Sequence, residues 1–153
     1  MNIRLPAPNL LSAALCLLLV GTATLTRAAA TESAQPLALQ GIMKQLGRDM
    51  QAAAGAIAIE DWPTVARLAP GIARHPEPPL AEKMRILAWL GRDAGKFRAF
   101  DVQVHASADA MGRAAARGDG SAVIDAFAQT QRACLGCHQG YRRGFVEHFH
   151  GRR

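Results

Sequence analysis

The sequence predicts an all-α domain, four amphipathic helices folded as an up-and-down four-helix bundle. Three observations carry this expectation. Apolar residues return every three or four positions through most of the chain, which is the period of a helix with one buried face. Little of the chain alternates as a half-buried strand would. Glycine and proline clusters fall mostly between the periodic stretches and leave short connections. An irregular all-α domain satisfies the same periodicity.

Residues 1–30 read as an export signal and not as part of the fold. Arg4 supplies a positive start, residues 10–21 (LLSAALCLLLVG) form an apolar run, and Ala28, Ala29 and Ala30 offer small residues at a cleavage site. The run is about a dozen residues, whereas a spanning helix needs roughly twenty, so removal is expected rather than a membrane anchor. A lipoprotein signal at Cys16 is disfavoured, because Leu15 is bulky and Cys16 lies inside the run. Cleavage near Ala30 leaves one domain over 31–153, large enough for one core, with no stable membrane insertion. It also removes Arg4 and Arg27, lowering the formal net charge of +6 by two. The remaining charges are scattered and form no basic stripe, which argues against a nucleic-acid partner. A mild positive bias would help docking to an acidic protein.

The first helix is expected over about 35–59, with Leu39, Ile42, Met43, Leu46, Met50, Ala53 and Ile57 on one stripe. The second, about 61–75, starts with Asp61 as N-cap and Pro63 in the first turn. It carries Trp62, Val65, Leu68 and Ile72, and Pro70 should kink it or end it early. His75-Pro76-Glu77-Pro78-Pro79 stops any helix. A short helix over 80–90 follows, with Met84, Leu87 and Leu90 apolar. The third long helix, about 94–117, places Phe97, Phe100, Val104, Ala108, Met111 and Ala115 at helical spacing, and Gly118-Asp119-Gly120 breaks it. The fourth, about 121–145, carries Val123, Ile124, Phe127, Cys134, His138, Tyr141 and Phe145 on one side. His75 reads as a loop residue and His105 as exposed, off the apolar stripe. His148 and His150 read as polar surface in a solvated tail, and Trp62 and Trp89 as core or interface.

Cysteine placement gives the sharpest chemical clue. With Cys16 lost with the signal, only Cys134 and Cys137 remain, followed at once by His138. On a helix, residues three apart share a face with β-carbons about 5–6 Å apart. Two thiols so placed can add to the two vinyl groups on one edge of haem, and the adjacent imidazole can then bind the iron. Export fits, since such attachment is completed outside the cytoplasm. A thioredoxin-like pair belongs at the start of a helix in a βαβ setting, which is missing here. A zinc site needs two further ligands, and His148 and His150 are poorly spaced for that. A helical i,i+3 disulfide is strained.

The position and flanks of this motif resemble the class II c-type cytochromes, the cytochrome c′ and cytochrome c-556 family. The motif lies near the C-terminus of an all-helical chain and is followed by Tyr141-Arg142. The resemblance is strongest over 126–145 (AFAQTQRACLGCHQGYRRGF), good over 42–50 (IMKQLGRDM), and weak over 73–93. It implies an antiparallel four-helix bundle with one covalently bound haem c per chain, lying between the helices near the C-terminal one. It also implies Cys134 and Cys137 as the attachment points and His138 as the proximal iron ligand. Tyr141 and Arg142 would lie near the haem, and Met43 would occupy the distal position on the first helix. The family's usual arginine one turn earlier is replaced by Leu39. The resemblance extends to a homodimer through the first two helices, with Trp62 or Ile72 at the contact.

The function expected is single-electron transfer between periplasmic redox proteins, with the protein as a carrier and not an enzyme; no paired carboxylates and no serine–histidine–acid set appear. The alternative is a five-coordinate cytochrome c′ that senses or scavenges nitric oxide or carbon monoxide. Met43 separates the two. Its thioether either binds iron as the sixth ligand or only packs. Met50 and Met111 are fallback ligands that read as core.

Overall fold

The structure, a computed structural model, describes residues 37–151; the expected export signal, with Cys16, lies outside them. Helix α1 (Ala38–Ala58) is followed by α2 (Trp62–Ala73), α3 (Leu80–Leu90), a 3-10 turn (Gly91–Asp93), α4 (Ala94–Ala116) and α5 (Gly120–Cys137). A π-helical turn (His138–Arg142) then leads directly into α6 (Arg143–His150). Among the described residues there is no strand, and no helix is long and apolar enough to cross a membrane. Four helices pack together: α4 lies along both α2 and α5, while α1 lies along α2 and touches α5 lightly.

The joints follow from local chemistry. Asp61 caps α2, its carboxylate accepting the Thr64 N–H at 3.1 Å, and Asp119 caps α5 by accepting from Ala122 at 3.1 Å. At the end of α4, Gly118 takes the left-handed conformation (φ 68°). There Gly118 N–H donates to the Ala115 carbonyl and Asp119 N–H to the Ala114 carbonyl, both at 3.0 Å. This is the paired closure that glycine favours. The same closure ends α1, yet Glu60 (φ 57°) stands where glycine would.

The core is narrow and alanine-rich. Val65, Ala69 and Ile72 of α2 meet Ala108, Met111 and Ala115 of α4 and Val123 and Ala126 of α5. Small side chains allow close approach; a β-carbon on Gly112 of α4 would fall 3.0 Å from the Ala69 β-carbon of α2. One polar pair is buried within this packing. The Thr130 hydroxyl donates to Ser107 Oγ at 2.8 Å, and Ser107 donates onward to the Gln103 carbonyl at 2.7 Å, so neither is left unpaired.

Several expectations need correction. Pro70 lies inside α2, which continues past it to Ala73, short of the expected end near 75. A mid-helix proline costs about 3 kcal/mol, and fully burying a side chain such as Ile72 returns about 1.5–3 kcal/mol. Ile72 is 1% exposed, so it is unavailable for a dimer contact. Trp62 is half-buried, and a β-carbon on Gly120 would fall 2.9 Å from its ring. On α1 the buried residues are Ile42, Met50, Ala53 and Ala56, whereas Met43 is 38% exposed. Met84 and Ile124 are likewise exposed.

The helical path expected to stop near residue 145 runs on through α6. Its aromatic side chains find a partner in α3: Trp89 meets Phe145 edge-on at 5.7 Å and stacks with His148 at 6.0 Å. The Arg85 guanidinium lies 5.5 Å from the centre of the Phe149 ring. The chain beyond 145 is therefore helical, with its aromatic rings against α3, while His148 stays exposed as expected.

Candidate functional site

Cys134, Leu135, Gly136 and Cys137 form the last turn of α5, and His138 opens the π turn. Both cysteines are free and half-buried. Burial raises the Cys134 thiol above its ordinary value. It pushes Cys137 up to about 11, with added repulsion from Cys134 and from the Asp101 carboxylate. Both groups are thus neutral thiols at neutral pH, unlike the depressed thiolates of reactive redox pairs.

His138 is shifted the other way. Burial, and then the positive charge of Arg142, hold its ring below the ordinary histidine value. The imidazole is therefore neutral, the form with a lone pair to give a metal. Arg142 itself is exposed. Where the helix widens at His138, Tyr141 turns to α4 and meets Phe97 at 5.4 Å and Phe100 at 6.5 Å, both edge-on. π turns of this kind are frequent at functional sites.

Gly136 lets α5 approach Phe100. A β-carbon there would fall 2.6 Å from Phe100 Cε1, so the ring of α4 lies against the backbone between the two cysteines. Leu135, in the same turn, is 56% exposed. Met50 and Met111 are buried in the core at 7% and 0% exposure, as their reading as core expects. Met43, on α1, is not consumed by that packing. Leu39 is half-buried, and its backbone N–H donates to the Glu82 carboxylate at 2.8 Å.

The donor set fits a covalently held haem. Two neutral thiols occupy one helical turn, a neutral imidazole follows immediately, and apolar side chains flank them. It does not fit zinc among the described residues: only one cluster of three or more histidine, cysteine or acidic ligands occurs there, and it contains neither cysteine nor His138.

That cluster is one the sequence reading missed. His75, Asp101 and His105 come together, although His75 read as a loop residue and His105 as exposed. His75 does lie in the loop after α2, but its side chain is only 11% exposed. The local signal was the i,i+4 spacing of Asp101 and His105 on one helix. The third member, 26 residues away, gave none.

Comparison with protein-family models, with curated proteins and with solved structures finds no match for this chain.

Proposed function

We propose that this protein is an exported single-electron carrier of the class II c-type cytochrome kind, with one haem c held covalently through Cys134 and Cys137. The observation that carries the reading is the last turn of α5: two neutral, half-buried thiols three residues apart, with a neutral imidazole next in the chain. The four long helices would then form an antiparallel up-and-down bundle around the group, and the carrier would work in the periplasm with redox partner proteins.

When bound, the haem supplies an iron that accepts and releases one electron. The residues of the chain do the rest. Cys134 and Cys137 would hold the group by two thioether bonds. His138 would give its lone pair to the iron, and burial, then the Arg142 charge, keep that ring from taking a proton. Phe97, Phe100 and Tyr141 form an apolar wall on α4 and the π turn, which would limit water around the group. Met43, exposed and outside the core, would be the chain's candidate for a further thioether ligand. Such ligation would favour electron transfer over the five-coordinate, gas-binding alternative.

The test is an absorption spectrum of the matured, reduced protein, with and without Met43→Leu, together with extraction into acidified acetone. Pigment that stays with the polypeptide, and is released from the Cys134→Ser/Cys137→Ser variant, supports covalent attachment. A low-spin spectrum that becomes high-spin in Met43→Leu supports methionine ligation. A colourless matured protein, or pigment that leaves into the solvent, overturns the reading. An unaltered Met43→Leu spectrum that shifts on adding carbon monoxide moves the function to gas binding.

A further inference from the structure

Apart from the cysteine turn, three side chains from two parts of the chain converge on one point. Asp101 and His105 share a face of α4, and His75 reaches them from the loop after α2, where Pro76, Pro78 and Pro79 restrict the backbone. His75 Nε2 lies 3.2 Å from Asp101 Oδ1 and 3.2 Å from His105 Nε2. His105 Nε2 lies 3.5 Å from Asp101 Oδ2. The side chains of His75, Asp101 and His105 are 11%, 44% and 42% exposed, so the cluster has a covered floor and an open side.

The hydrogen-bond pattern fixes the tautomer of His75. Its Nδ1 lies 3.2 Å from the Pro76 carbonyl oxygen, which can only accept, so Nδ1 carries a hydrogen. In the neutral ring Nε2 then turns a bare lone pair towards a carboxylate. Such an arrangement is stable only with a positive charge between the two, either a second proton on His75 or a metal ion. A ring whose N–H is given to a backbone carbonyl, with its other nitrogen aimed at other donors, is the arrangement of a metal-bound histidine.

The ligand types point to the kind of ion, and the spacing is compatible with it. Zinc binds nitrogen and carboxylate oxygen at about 2.0–2.2 Å, so tetrahedral angles separate neighbouring donors by about 3.3–3.6 Å. Octahedral angles with the same bonds give about 2.8–3.1 Å. The separations of 3.2 and 3.2 Å fall between the two sets and that of 3.5 Å, measured to the other Asp101 oxygen, falls in the tetrahedral one, so all three are close enough to share one ion, and two imidazoles with one carboxylate are ligands that zinc favours.

We propose that His75 Nε2, His105 Nε2 and the Asp101 carboxylate form a Zn²⁺ site with three protein ligands and a fourth, solvent-facing position for water or an external donor. The ion would tie the proline-rich loop to α4 and neutralise Asp101. Lys83 and Glu77, an ion pair with each other, flank the site as the nearby charges acting on Asp101 and His75. No ligand is shared with the haem reading, although the Asp101 carboxylate faces Cys137.

The test is a calorimetric titration of chelator-stripped full chain with Zn²⁺, on the unaltered protein and on His75→Gln, His105→Gln and His148→Gln/His150→Gln. The expected result is that each of the first two variants loses one equivalent of bound Zn²⁺ or binds it at least about tenfold more weakly, while the last binds as the unaltered protein does. Circular dichroism in chelator checks that the variants fold. Should either fail to fold, NMR of the histidine ring nitrogens in the unaltered protein decides: added Zn²⁺ must shift the Nε2 signals of His75 and His105. Absence of binding, binding unaffected by both substitutions, or unshifted ring signals overturns the site and leaves the cluster as a protonated ion pair.

Discussion

The ring of Phe100 occupies the space that any side chain at position 136 would need, its Cε1 lying 2.6 Å from where a β-carbon on Gly136 would stand. The glycine between the two cysteines is thus set by packing against α4. Gly136→Ala is expected to destabilise the folded protein by about 1–3 kcal/mol, as overpacking does. In the Phe100→Ala background the same substitution should cost much less. A double-mutant cycle in urea checks this, and additive losses would show that the two positions do not meet.

Glu82 links the start of α3 to the start of α1. Its carboxylate accepts from Ala38 N–H and from Leu39 N–H, both at 2.8 Å. These are orphan donors of the first turn, and α1 has no cap of its own. A carboxylate here also faces the positive end of the helix dipole. Glu82→Ala is expected to cost about 1 kcal/mol and to speed amide hydrogen exchange selectively in the first turn of α1. Exchange rates unchanged in that turn would remove Glu82 from this role.

Helix positions were legible because each long stretch carries one apolar stripe with breakers between, and Asp61 announces a start that the structure keeps. The α4 stripe from Phe97 to Ala115 matches the packing closely. What stayed illegible depended on contacts distant in the chain. Pro70 is carried through by burial of Ile72 and Ala73, which no local rule foresees. Met43 and Ile42 are adjacent and equally apolar, yet only Ile42 is buried. α6 extends past residue 145 because Trp89 and Arg85, in another helix, provide surfaces for His148 and Phe149. The cysteine turn was readable because its residues are contiguous; the His75–Asp101–His105 cluster was not, because only folding joins its parts.

The two helix closures at Glu60 and Gly118 share one backbone pattern and differ in residue type. A side chain in the left-handed region costs about 1–2 kcal/mol, partly offset because glycine frees the unfolded chain by about 0.4–1 kcal/mol. Glu60→Gly is therefore expected to stabilise by about 0.5 kcal/mol and Gly118→Ala to destabilise by about 1 kcal/mol. Denaturation midpoints compared at constant m-value measure both. A loss of stability in Glu60→Gly would mean that the Glu60 side chain contributes an interaction of its own.

The pH dependence of stability in metal-free protein should report His75 and Asp101 together. The hydrogen bond to Asp101 raises His75 above its ordinary value of 6.5 against the opposing effect of burial, with smaller help from the Pro76 carbonyl and the charges of Asp101 and Glu77. The same bond lowers Asp101 below 3.8, aided by His105, His75 and Lys83, and Asp101 in turn faces Cys137 of α5. A raised histidine holds its proton more tightly when folded, so its contribution is full below about 6.5 and fades as pH rises through the folded value. A lowered carboxylate contributes above about 3.8, and that contribution is lost as pH falls through its folded value. The pair is therefore expected to stabilise most between those two limits. With chelator present, the unaltered protein should lose more stability from pH 5 to pH 9 than His75→Gln does, and equal losses would show that the pair carries no net stabilisation.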